Sequence, residues 1–86
     1  MADKFFEVTL VSKEGRIWEG KASLAQVPAI GGGLSFLPGH ASALVLLNKG
    51  EMKVRSGKEL SFSIEGGFAS FDGGAMVVAV DSAKDD

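Results

Sequence analysis

The chain has 86 residues, a net charge of −2 and no cysteine. This length predicts one small domain spanning residues 1–86, whose stability needs efficient packing or a partner, because so short a chain buries only about 60–65% of its unfolded surface. Lysines and arginines are scattered among acids, so the clustered basic face of a nucleic-acid-binding protein is not expected. The lack of cysteine excludes disulfide and thiolate chemistry, and no stretch reaches the ~20 consecutive apolar residues of a membrane helix.

Apolar residues recur with a period of two along most of the chain, which predicts strands with one buried face. Phe6, Val8 and Leu10, for example, alternate with Glu7 and Thr9 in the first strand. In chain order, the predicted strands are residues 6–11, 17–20, 22–27, 34–37, 43–47, 51–55, 60–64, 68–71 and 76–80.

Glycine, proline and polar residues predict where these strands end. Pro28 should end the third strand, because proline cannot donate to a β-ladder. Residues 29–33 contain three consecutive glycines and should form the most flexible loop, and Gly66-Gly67 should interrupt the chain between two strands. The polar residues 83–86 should form a frayed tail.

Together the short strands and the hairpin signals at residues 56–58 and 72–74 predict an all-β fold. No apolar stripe of helical period and useful length occurs in the sequence. We therefore expect an antiparallel β-sandwich or flattened barrel of about eight to ten short strands.

The run at residues 43–47 (ALVLL) is apolar at every position. A sandwich buries only one face of most strands, so such a run needs cover on its second face. We expect Val45 in particular to lie on that second face.

No motif in the sequence predicts catalysis. The glycines at 31–33 precede a predicted strand, whereas a phosphate-binding loop needs a helix N-terminus after it. His40 is the single histidine, without the further ligands of a metal site or the partners of a catalytic triad, and Trp18 has no second aromatic beside it to form a stacking platform. The residues therefore favour a protein-interaction module over an enzyme. We expect the chain to bind no cofactor.

Four segments in register resemble the epsilon subunit of F-type ATP synthases, which is called delta in mitochondria. Residues 11–20 (VSKE…IWEG) are similar to the family pattern VTPE…VFxG, and residues 36–50 (FLPGHA…KG) are similar to LPGHAPLL…L…G. Residues 62–68 (FSIEGGF) are similar to F-x-[VI]-x-GGF, and residues 77–83 (VVAVDSA) are similar to VTVLADTA. This resemblance covers nearly the whole chain in order.

The resemblance implies a non-catalytic rotor subunit that packs against the gamma shaft and rests on the ring of membrane-embedded c subunits, whether these carry protons or sodium ions. It implies indirect, peripheral association with the cytoplasmic face of a bacterial plasma membrane. On the c-ring side we expect Ile30, Gly31, Gly32, Gly33, Leu34 and His40. On the gamma side we expect Ser12, Ser42 and Val45.

Two departures from the family pattern affect these expectations. Gly33 stands where the family usually carries an acidic residue, so a charged contact with the c-ring is missing. Family members also typically continue into a helical hairpin that binds ATP in some of them, whereas the residues here end at Asp86. We expect the chain not to bind ATP. The alternative function is a free-standing sandwich that binds a peptide or carbohydrate through a concave aromatic surface or an open edge strand.

Overall fold

A computed structural model describes residues 5–85 of the chain. These residues form eight strands and no helix, and so no helix in this range could span a membrane. The strands are β1 (Phe6–Ser12), β2 (Gly15–Ala22), β3 (Leu24–Ala29), β4 (Gly32–Phe36), β5 (Ala43–Leu46), β6 (Gly50–Arg55), β7 (Glu59–Asp72) and β8 (Ala75–Asp85).

The long hairpin of β7 and β8 belongs to both layers of a β-sandwich. In the half nearest the turn, β7 pairs with β5 and β8 pairs with β1. Because β1 also pairs with β2, the first layer has the order β2-β1-β8-β7-β5. The other half of the hairpin pairs with β6, which continues through β3 to β4 and forms the second layer. The predicted sandwich is confirmed, but the sheet ends at β2 and β4 and does not close into a barrel.

The core lies between the two layers and is built from the alternating apolar positions. Phe6, Val8 and Leu10 are buried, as their period of two predicts. Phe71 from the first layer stacks on Phe36 from the second, with ring centroids 5.6 Å apart. Burial of such side chains stabilises the fold by roughly 1.5–3 kcal/mol each.

Gly66 and Gly67 bend β7 between the layers rather than ending a strand. Their φ angles are +67° and +112°, which glycine adopts without strain, and β7 stays paired with β8 on both sides of them. The buried positions change phase here, from Phe62 and Ile64 to Ala69 and Phe71. The predicted break is therefore wrong, because the bend allows one strand to face the core in both layers.

Three further expectations about strands are corrected. Pro28 lies inside β3, and its carbonyl oxygen accepts the N–H of Asn48 at 2.7 Å, so it takes part in pairing despite having no N–H of its own. The residues predicted to fray continue β8 as far as Asp85, with Ala83 opposite Ile64; Asp86 lies outside the described residues. Finally, β1 and β8 run parallel, while the other strand pairs are antiparallel.

Candidate protein-interaction face

Strand β5 exposes large apolar side chains on the outside of the first layer. Leu44 and Leu46 are 70% and 63% exposed, whereas Val45 between them is half-buried and packs against the core. The alternation of a strand accounts for this division, because successive side chains point to opposite faces of the sheet. Antiparallel pairing then sets Leu44 opposite Ser70 and Leu46 opposite Phe68 on β7.

The same outer surface continues across β8 and β1 in two rows. The register gives one row from Leu46 through Phe68 and Ala79 to Val11, and another from Leu44 through Ser70 and Val77 to Thr9. We call these eight positions the apolar face: Thr9, Val11, Leu44, Leu46, Phe68, Ser70, Val77 and Ala79. The face carries no charged side chain.

Solvent reaches the apolar face although it contains large hydrophobic residues. Besides the two leucines, Phe68 is 43% exposed and Val77 is 40% exposed. Single exposed hydrophobic residues are ordinary on protein surfaces, but neighbouring ones on adjacent strands form a contiguous patch that marks a protein contact. The chain therefore presents a surface suited to a partner with an apolar face of its own.

A polar row limits the apolar face at the end nearest the β7–β8 turn. The hydroxyl of Ser42 donates a hydrogen bond of 2.8 Å to Oδ1 of Asp72. Asp72 is opposite Ala75 on β8, and Ala75 is opposite Glu7 on β1. Glu7 in turn is opposite Lys21 on β2. Charged residues thus border the apolar face and do not enter it.

The turn between β3 and β4 adjoins the apolar face on its other side. Ile30 and Gly31 are the two residues of this hairpin turn, and the N–H of Ile30 donates to the carbonyl oxygen of Leu46 at 2.9 Å. Ile30 is 60% exposed, and Gly31 has a φ of +97°, the positive value that a type II turn requires of its second central residue. The glycine segment is thus an ordered hairpin, with Gly32 and Gly33 inside β4, rather than the flexible loop predicted.

The structure does not bring His40 to this turn. The His40 ring packs on Phe36, with centroids 4.6 Å apart, and against Phe71 at 5.5 Å. Its Nδ1 lies 2.6 Å from the carbonyl oxygen of Ala41, so this nitrogen carries the proton and donates. Phe36 is four residues from Gly32 along β4, about 13 Å at ~3.3 Å per residue, so His40 and the hairpin turn lie at opposite ends of the strand.

The residues expected on the two interfaces occupy several environments. On the c-ring side, Leu34 is half-buried and packs against the core, while the hairpin turn is exposed. On the gamma side, Ser42 borders the apolar face, and Ser12 ends β1 with its hydroxyl accepting the N–H of Glu14 at 3.1 Å. The expectation that Val45 faces outward is wrong, because this side chain packs inward. The partner roles themselves stay predictions.

The sequence reasoning missed the residues that form the exposed surface. They are Leu44, Leu46, Phe68 and Val77. The sequence did predict that β5 has an apolar outer face, since residues 43–47 are apolar at every position. It could not show which side chains form that face, because no polar residue occurs among them. The register with β7 shows which face is inner, because Val45 is opposite Ala69, which is buried.

The described residues show no arrangement suited to catalysis. No group of three or more His, Asp or Glu side chains between residues 5 and 85 could hold a metal ion. The glycines at 31–33 lead into a strand, which lacks the N-terminal N–H groups that a helix offers to phosphate. Trp18 is half-buried against Phe62, with centroids 6.2 Å apart, so it is a core aromatic rather than a sugar platform.

A family model described as the β-sandwich domain of the ATP synthase delta/epsilon chain matches residues 5–86. The chain belongs to this family. Membership agrees with the resemblance of the four segments in the sequence.

Curated relatives agree with this assignment. The ATP synthase epsilon chain of Micrococcus luteus is 38% identical over 79 residues, which are 90% of this chain and 87% of the relative. That of a Cyanothece species is 35% identical over 90% of this chain, but the match spans only 56% of the relative's length.

Two solved structures share the fold at lower identity. A chain of the Euglena gracilis mitochondrial ATP synthase (OSCP, F1 and c-ring) superposes with a TM-score of 0.91 at 21% identity, covering 99% of this chain and 56% of that one. A chain of the Tetrahymena thermophila mitochondrial ATP synthase central stalk and c-ring gives 0.82 at 20% identity, covering 98% and 68%.

Proposed function

We propose that this chain is a non-catalytic rotor subunit of an F-type ATP synthase that links the gamma shaft to the membrane c-ring. The single observation that carries the proposal is the apolar face, an uncharged, solvent-exposed surface on a domain of the epsilon family. The similar Tetrahymena chain belongs to a structure of an ATP synthase central stalk with its c-ring, which supports the proposal.

The apolar face is the surface we assign to gamma. Its large side chains, Leu44, Leu46 and Phe68, offer hydrophobic area without charges that would need partners after desolvation. A rotor subunit must stay attached while torque is applied, and a buried apolar contact at its centre supplies most of such binding energy.

The β3–β4 turn is the surface we assign to the c-ring. Ile30 projects from it, and Gly31, Gly32 and Gly33 carry no side chains, so a neighbour can approach the backbone closely. Contact there rests on shape and backbone hydrogen bonds. Association with the membrane is then indirect and peripheral, on the cytoplasmic side in a bacterium, and the nucleotide and ion sites belong to other subunits.

Binding to purified gamma subunit from the same organism tests this assignment. We expect Leu46→Asp to weaken association by at least about 2 kcal/mol, because a carboxylate would be desolvated at the interface without a partner. Gln26→Asp is the matched control, since Gln26 is exposed on the outside of the second layer. Equal binding by folded Leu46→Asp and the parent chain would overturn the assignment of this face to gamma.

The alternative function, a free-standing binding module, has one of its two predicted features. Strands β2 and β4 each have an edge without a partner among the described residues. The aromatic side chains that a sugar or peptide surface would need point mostly into the core, Trp18 included. Membership of the epsilon family supports the rotor proposal over this alternative.

A further inference from the structure

We propose that Asp72-Gly73, in the β7–β8 turn, is a site where aspartate converts spontaneously to isoaspartate. It is the one Asp-Gly pair in the sequence. The reaction needs an aspartate carboxyl group beside a backbone nitrogen that is neither shielded by a side chain nor held in a hydrogen bond.

The turn provides such a nitrogen. Asp72 pairs with Ala75, so Gly73 and Gly74 alone connect the strands, with φ angles of +59° and +82° that define a type I′ turn. The N–H of Gly73 has no hydrogen-bond acceptor among the described residues. Apart from Gly73 itself and its two chain neighbours, no heavy atom lies within 4 Å of the place where a β-carbon of Gly73 would be, so no other residue crowds this side of the turn.

The chemistry requires nothing beyond water. The Gly73 nitrogen attacks Cγ of the protonated Asp72 carboxyl group, an N–Cγ bond forms, and one water molecule leaves, which closes a five-membered succinimide ring. Water then adds to the ring. When it breaks the bond between the nitrogen and the original backbone carbonyl, the chain continues through Cβ and Cγ and the α-carboxylate becomes the side group. The product has the same mass as the starting chain.

The other described aspartate with a described successor is in a less reactive setting. Asp81 is followed by Ser82, whose side chain crowds the nitrogen and which is paired with Glu65 in the β7–β8 ladder. Asp81 therefore serves as an internal reference. Both aspartates lie in the single fragment between Lys58 and Lys84 that trypsin releases.

Conversion at Asp72 would change the border of the apolar face. The new linkage adds one carbon to the backbone of a two-residue turn and removes the carboxylate from the place where it accepts the Ser42 hydroxyl at 2.8 Å. The turn also holds the start of β1, because the N–H of Glu7 donates to the Gly74 carbonyl oxygen at 3.0 Å. We expect the converted form to unfold at a lower temperature.

The test is prolonged incubation of the purified chain at physiological temperature, followed by labelling with an isoaspartyl methyltransferase and radioactive S-adenosylmethionine. Tryptic mapping and fragmentation should place several-fold more label at position 72 than at position 81. Asp72→Asn should react faster, since an amide loses ammonia directly, whereas a carboxyl group must be protonated before it can lose water. Asp72→Glu should lose the signal, because its longer side chain would have to close a six-membered ring.

The outcomes separate the proposal from general ageing. No label in the aged parent chain, equal label at Asp72 and Asp81, or full label in Asp72→Glu would each overturn it. The measurement needs no partner subunit, so it stands whether or not the chain binds gamma.

Discussion

The backbone of Gly67 lies so close to that of Ala79 on the neighbouring strand that a β-carbon at position 67 would overlap the Ala79 carbonyl oxygen. The Cα of Val80 would be only 2.7 Å from the same β-carbon. Since Gly67 also has a φ of +112°, both space and backbone conformation demand glycine where β7 bends between the layers.

Gly67→Ala should therefore lower the free energy of unfolding by about 3 kcal/mol or more, since a strained backbone alone costs roughly 1–3 kcal/mol. Urea denaturation followed by circular dichroism measures the change. Gly33→Ala is the control, because Gly33 has an ordinary φ and only the Val27 carbonyl oxygen near its β-carbon position, at 3.9 Å. Equal stability of the two variants would contradict this view of the bend.

Val45→Asp should destabilise the fold rather than remove a partner contact. Its carboxylate would replace a half-buried side chain that packs on the core, which costs several kcal/mol unless the group is paired. Leu44→Asp places the same charge on the outer face and should change the free energy of unfolding by less than about 1 kcal/mol. Thermal unfolding of both variants distinguishes them, and the reverse order would show that the face of β5 has been misassigned.

Gly20→Ala should displace the Trp18 ring. A β-carbon at position 20 would lie 2.7 Å from Cζ2 and 2.9 Å from Cη2 of the indole, which now covers the glycine. Because Trp18 is the single tryptophan of the chain, its fluorescence reports the change directly, and the emission should move to longer wavelength as the ring becomes wetter. An unchanged spectrum in folded Gly20→Ala would contradict the packing of Trp18 on Gly20.

The chain should not bind ATP. Its glycine segment continues as β4 rather than as a helix, so it lacks the N-terminal N–H groups that phosphate-binding loops use. Calorimetric titration with ATP should give no dissociation constant tighter than ~1 mM, about −4 kcal/mol. A tighter constant would show a nucleotide site that neither the sequence nor the strand geometry indicates.

The sequence predicts local structure well where polar and apolar residues alternate. The alternation in β1 identified Phe6, Val8 and Leu10 as core residues, and the glycines after Asp72 identified the β7–β8 turn. It fails at β5, where no polar residue shows which side faces solvent. The parallel pairing of β1 with β8 joins residues about 68 positions apart (Glu7 with Ala75), and no local pattern encodes such a contact.

The place of β8 in the sheet has a consequence for synthesis of the chain. The hairpin of β1 and β2 pairs with the rest of the first layer through β8 alone, although β8 follows the seven other described strands in the chain. Until β8 has emerged from the ribosome, residues 6–22 therefore have no other strand of the first layer with which to pair. The aromatic side chain of Phe6 cannot pack on Phe71, its neighbour at 5.3 Å, until β7 has been made.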